Sequence, residues 1–204
     1  MTDYIYRAGK ADMPTLLLLH GTGGNEVEML QIAQQFGSDY NVLSIRGRVA
    51  DSGVNRYFKM KNVAAGFTKE NFDLESLENE AQWLADEIAA LSVVENFDSS
   101  RVVAIGYSNG ANIALYMQLT GIFDFERIIG FHSMQVADVD LPARTQRKIF
   151  LSRAENDPIV TTDSFAALGQ DLEAAACQLT IFNTKYGHQL TMDEIAAARS
   201  WLTE

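Results

Sequence analysis

Short apolar runs alternate with longer stretches of helical spacing along this chain. Residues 16–19, four leucines between Pro14 and a glycine-rich loop, are too few for a buried helix and predict a buried strand. Residues 26–36 place Val27, Leu30, Ala33 and Phe36 at near-helical spacing, and residues 41–45 (NVLSI) predict the next strand. From Asp73 to Leu91 the apolar positions are Leu74, Leu77, Ala81, Leu84, Ile88 and Leu91, steps of three and four that mark an amphipathic helix. Residues 101–107 (RVVAIGY) predict a strand, followed by a helix from about Asn109 to Leu119 that is apolar on most sides and so expected to be buried all round. Residues 127–131, 148–153 and 178–183 predict three more strands, with a helix marked by Phe165, Leu168 and Leu172 before the last. Thr191 and Glu194 form a capping box for a final helix.

Strands alternating with helices predict an α/β fold: a three-layer sandwich with a mostly parallel sheet, helices on both faces and one domain across residues 1–204. In such sheets ligands bind outside the carboxyl ends of the strands. The loops that follow the strands therefore hold the candidate chemistry: HGTGGNE (20–26), GYSNG (106–110), AENDP (154–158) and YGHQ (186–189).

In GYSNG, Ser108 lies between Gly106 and Gly110, with a strand before it and a helix after it. A hydroxyl that acts as a nucleophile must project from the sheet edge on a sharp strand-to-helix turn. The residues two before and two after it are then crowded, and glycine is needed there. Among the three histidines, His188 is the best candidate base, since Gly187 lets its loop aim the ring; His20 reads better as a residue orienting the glycine loop, and His132 as a satisfied histidine at a strand end. Asp157, fixed in extended geometry by Pro158, is the candidate orienting acid. Glu155 and Asp163 are nearby competitors, and Asp138 and Asp140 weaker ones. The order Ser108, Asp157, His188 is that of α/β-hydrolases. The backbone N–H groups of Asn109 and Thr22 are the candidate oxyanion donors. GTGGNE lacks the spacing of nucleotide-binding loops, which argues against a bound nucleotide.

At these residues the chain resembles the small phospholipase/carboxylesterase group of α/β-hydrolases, especially its bacterial hydrolase branch. The likeness runs through LLLLHGTGGNE, LSIRGRV, RYF, VVAIGYSNGANIA, NDPIV and GHQLT. It implies hydrolysis of small or medium carboxylic esters or thioesters by the triad Ser108, Asp157 and His188, with no cofactor and no large cap domain. Two other functions stay open: small-molecule binding on a hydrolase scaffold, and acyl transfer to an acceptor other than water.

Composition narrows the partners. A net charge of -11 disfavours nucleic acid and anionic membranes. Three histidines and one cysteine, Cys177, make a His/Cys metal site unexpected and an internal disulfide impossible. The first fourteen residues contain no apolar run, so a cytoplasmic location is expected. One segment runs against the overall charge. Residues 46–61 hold Arg46, Arg48, Arg56, Lys59 and Lys61 against Asp51, interleaved with Tyr57, Phe58 and Met60. Arg48, Arg56, Tyr57 and Phe58 are candidate substrate-binding residues on a flap that attracts an anionic substrate; a surface loop or a homodimer contact is the alternative.

Overall fold

A computed structural model describes residues 2–51, 53–139 and 146–204. In chain order its elements are β1 (Tyr4–Arg7), β2 (Thr15–Leu19), α1 (Met29–Gln35), β3 (Asn41–Ile45), β4 (Val49–Asp51), β5 (Val54–Arg56), α2 (Leu74–Glu95), β6 (Val102–Tyr107), α3 (Asn109–Thr120), β7 (Arg127–Phe131), β8 (Lys148–Ala154), α4 (Thr162–Ala174), β9 (Gln178–Thr184) and α5 (Met192–Leu202). Seven strands form one sheet in the order β1-β3-β2-β6-β7-β8-β9. All pair in parallel except β1, which runs antiparallel to β3 with Tyr4 opposite Ile45.

The leucines of β2 explain the layering. Side chains alternate across a strand, so Leu17 and Leu19 face one side and Leu16 and Leu18 the other. All four are completely buried. Leu17 and Leu19 join Leu43 and Ile45 of β3 in a core closed by α2, α3 and α4, through Leu77, Leu84, Ile113, Leu115, Phe165 and Leu168. Leu16 and Leu18 join Val42 in a second core closed by α1 and α5, through Leu30, Ala33, Ile195 and Trp201. Each fully buried leucine contributes about 1.5–3 kcal/mol, so a strand covered on both faces anchors the whole sheet. The central helix α3 is buried along nearly its whole length, as its lack of a polar face predicts.

Two features lie outside the sequence expectation. Strand β1 is an edge strand whose four residues are half-buried or exposed, so it shows no apolar run. Within the basic segment, β4 and β5 form a separate two-stranded hairpin, Val49 opposite Arg56.

From β2 the chain moves outward to β3, then returns to place β6 on the other side of β2. Strand order thus reverses at β2 and β6, and the crevice beyond their carboxyl ends is where ligands bind in open α/β sheets. The HGTGG loop leaves β2 at this point, and Ser108 leaves β6.

Candidate active site

Ser108 connects β6 directly to α3. It has φ 51° and ψ -113°, a conformation unfavourable for a residue with a side chain. Its surroundings hold it there. The Ser108 N–H donates to Phe131 O at 2.8 Å, and its carbonyl accepts from Asn112 N–H at 2.9 Å. The flanking glycines are sterically required: a Cβ on Gly106 would lie 2.5 Å from Ala111 Cα, and one on Gly110 would lie 2.3 Å from Leu19 O.

His188, in the loop between β9 and α5, brings its Nε2 to 2.9 Å from Ser108 Oγ and its Nδ1 to 2.8 Å from Asp157 Oδ2. Asp157 follows β8, and its Oδ1 accepts from the N–H groups of Ile159 and Val160 at 2.8 and 3.0 Å. Burial pushes the Asp157 carboxyl up, but hydrogen bonds from Val160, His188, Ile159 and His132 outweigh it and hold the group below the usual carboxylate range. Burial of His188 lowers its affinity for a proton more than Asp157 raises it, so the ring is neutral at neutral pH. With Nδ1–H given to Asp157, Nε2 faces the serine with its lone pair. Tyr107, through its hydroxyl, donates to the His188 carbonyl and steadies the loop. The structure thus brings Ser108, Asp157 and His188 into one hydrogen-bonded chain. Among the competing acids, Glu155 and Asp163 are exposed, Asp138 pairs with Lys69 at 2.5 Å, and Asp140 lies outside the described residues.

His20 braces the loop opposite. Its Nε2 accepts from Gly47 N–H at 3.0 Å, which leaves Nδ1 to donate to Gly21 O at 2.7 Å. Both ring positions are used, and burial lowers its proton affinity, so it stays a neutral brace. Thr22 of that loop and Asn109 border the same cavity as Ser108. Asn109 opens α3, so its N–H has no partner within the helix.

His132 follows β7 as a strand-end histidine, and its hydrogen-bond partner is Asp157. It is completely buried, with φ 51°, and its Nδ1 lies 3.0 Å from Asp157 Oδ2. Its Nε2 lies 3.0 Å from Glu194 Oε1, although not aligned for a good hydrogen bond. Glu194 was legible only as a helix cap; it is also fully buried beside the site. His132, Asp157 and His188 offer ligand atoms within 4.8 Å of one another, the geometry of a potential metal group. Both Nδ1 atoms, however, are committed as N–H donors to Asp157, which leaves those nitrogens no lone pair for a metal.

The cavity over Ser108 is narrow, about 10 Å³, room for roughly one water. Phe67, Phe72, Met134, Ile159 and Val160 form its apolar wall. None of the four proposed substrate-binding residues lines it. Tyr57 and Phe58 are completely buried; Tyr57 donates through its hydroxyl to Ile45 O at 2.6 Å, and its N–H donates to Asn109 Oδ1 at 2.7 Å. Arg56 is buried as well. Arg48 pairs with Glu80 at 2.7 Å and lies over the Trp83 ring, in a separate cleft of about 480 Å³ that does not reach Ser108. Arg56, Tyr57 and Phe58 are thus packed inside the fold, Tyr57 directly against Asn109, whereas Lys59 and Lys61 are exposed.

A parallel sheet reversed at β2 and β6, with a strained serine, a histidine and an aspartate at its carboxyl edge, defines an α/β-hydrolase. The chain belongs to the dienelactone hydrolase family, whose pattern matches residues 1–201. It is 32% identical to MhqD of Bacillus subtilis (strain 168), a hydrolase by name, over 98% of both chains. Solved structures agree. The structure of YahD with malic acid covers 100% of this chain and 98% of its own at 48% identity and a TM-score of 0.96. A Bacillus cereus carboxylesterase covers 100% and 94% at 33% identity and a TM-score of 0.92.

Proposed function

We propose that this protein is a serine carboxylesterase acting on small carboxylic esters or thioesters. The observation that carries this reading is the chain from Ser108 Oγ through the His188 ring to Asp157, with contacts of 2.9 and 2.8 Å. Its resemblance to a carboxylesterase of known structure supports the reaction class. Ser108 attacks the acyl carbonyl while His188 Nε2 takes its proton, and Asp157 stabilises the imidazolium without being protonated itself. The developing oxyanion lies between the N–H groups of Thr22 and Asn109. In the glycine loop, Gly23 N–H already donates to Asn55 O and Gly24 N–H to Gly21 O, so Thr22 is the amide next to the cavity that remains for this role. His188 then protonates the leaving group, and a water deprotonated by the same ring releases the acid.

Ser108→Ala is expected to lower kcat/KM on a p-nitrophenyl acetate by about 10⁴-fold or more, with an unchanged circular dichroism spectrum. A fluorophosphonate should label the unaltered protein at Ser108 and not the variant. Near-normal turnover by the folded variant would overturn the proposal.

A further inference from the structure

The hydrogen-bonded chain does not end at Asp157. Its Oδ2 faces the Nδ1 of two rings, His188 at 2.8 Å and His132 at 3.0 Å, while its Oδ1 is taken by two backbone amides. The other edge of the His132 ring lies against a second buried carboxylate, its Nε2 3.0 Å from Glu194 Oε1 at ion-pair distance though not aligned as a hydrogen bond. We propose that His132 is a positioning residue: as an imidazolium between the buried carboxylates of Asp157 and Glu194, it fixes Asp157 against His188 and tunes the basicity of that ring. The kinetic part rests on the serine-hydrolase reading above; the charge assignment does not.

A neutral imidazole has one N–H and one lone pair, so at 132 it would turn that lone pair toward one of two carboxylates. Only the doubly protonated ring presents N–H to both. Glu194 is held as an anion by its other neighbours: Oε2 accepts from Thr191 N–H at 2.9 Å and Thr191 Oγ1 at 2.7 Å, and Oε1 from Ser152 Oγ at 2.7 Å. An amide N–H can only donate, which favours the ionised carboxylate. The other titratable groups facing His132 are His188, with ring centroids 5.2 Å apart, and Tyr107, at 5.9 Å. Tyr107, its hydroxyl pushed up to about 12 mainly by burial, is uncharged. Burial opposes a charge on His132, but its contacts with Glu194 and then Asp157 outweigh it and raise the ring above the usual histidine range. His132 also has a positive φ, 51°, which residues with side chains rarely adopt. Such a conformation persists only where surrounding contacts impose it.

The sign for His188 follows. A cation 5.2 Å away opposes a second proton on that ring, and with burial it places the His188 titration below 6.5. His132 titrates above it. Nitrogen-15 NMR of the histidine-labelled full chain reads both rings without substrate. The expected result is one ring, assigned by its loss in His132→Gln, that still carries two N–H groups at a pH where His188 carries one. A His132 ring with a single N–H at pH 7 overturns the proposal.

In the same variant the acid limb of kcat/KM is expected to move up by about one pH unit. Its kcat should fall about 10-fold with KM little changed. An unmoved limb in the folded variant overturns the positioning role, because merely loosened packing lowers kcat without moving the limb. Should the uncompensated Glu194 unfold His132→Gln, the charge-neutral H132Q/E194Q pair carries the kinetic test, with a limb shift in the same direction. If NMR shows the charged ring but fluorophosphonate fails to label Ser108, the serine reading and the positioning role fall, while the ion pair stands.

Discussion

Gly110 shows how little freedom the turn at Ser108 has. A methyl group at this position would sit 2.3 Å from a backbone oxygen of β2, which no rotamer change relieves. Either the strand or the helix must shift, at a cost of about 1–3 kcal/mol or more, and Ser108 moves with them. Gly110→Ala should therefore lower the melting temperature by several degrees and reduce kcat more than KM; a variant with wild-type melting and turnover would contradict the steric account. Ser108, Asp157 and His188 were legible because each stands in a loop with its own local signal, and their order repeats a known arrangement. His132 and Glu194 were not. Each had a sufficient local explanation, a strand end and a helix cap, and nothing in the sequence shows that these two residues, 62 positions apart, lie in contact. The one available signal for Glu194 was its neighbour: an acid at the third helical position, immediately before Ile195 of the core.

At the scale of elements, α5 does more than close the second core. Its capping box ties Thr191 and Glu194 together, with the Thr191 side chain accepting from Glu194 N–H and the Glu194 carboxylate accepting from Thr191 N–H. That same carboxylate meets Ser152 of β8 and His132 beyond β7. The start of one helix is thereby joined to two strand ends of the site. Thr191→Ala removes the cap, worth about 1 kcal/mol, and one of the donors that keep Glu194 ionised. We expect the loss of stability together with a measurable fall in kcat, whereas Thr161→Ala, which removes the comparable cap of α4, should cost similar stability and leave kcat unchanged. Equal kcat in the two variants would separate the cap from the site. Periodicity made α2, α3 and six of the sheet strands legible. It missed β1, whose residues are not buried enough to stand out, and the hairpin at Val49–Asp51 and Val54–Arg56, whose short strands carry charge.

For the whole molecule the open question is how charge reaches the cavity. The sequence places a basic cluster in a chain of net charge -11, a pattern that reads as steering of anions. In the folded protein the cluster's two leading arginines are met locally, while Lys59 and Lys61 are exposed. Arg46 is bound by Glu26 at 2.6 Å and by Asp3 at 3.0 Å, and Arg48 by Glu80 at 2.7 Å. What an approaching substrate meets at long range is then the excess of acid, not the segment. Composition revealed that excess, but which positive charges are already paired depends on partners tens of residues away. An anionic ester is consequently repelled at low salt, where the Debye length is about 30 Å, and much less at 0.15 M, where it is about 8 Å. The expected outcome is a kcat/KM for a succinate monoester that rises several-fold between these salt concentrations, while that of a neutral ester of the same acyl length stays flat. Arg48→Ala should leave the ratio of the two esters unchanged, since its charge is spent on Glu80 and its cleft does not open onto Ser108. A kcat/KM for the anionic ester that falls with salt would mean that a positive field at the cavity mouth prevails over the net charge, and would return the basic segment to a role in substrate capture.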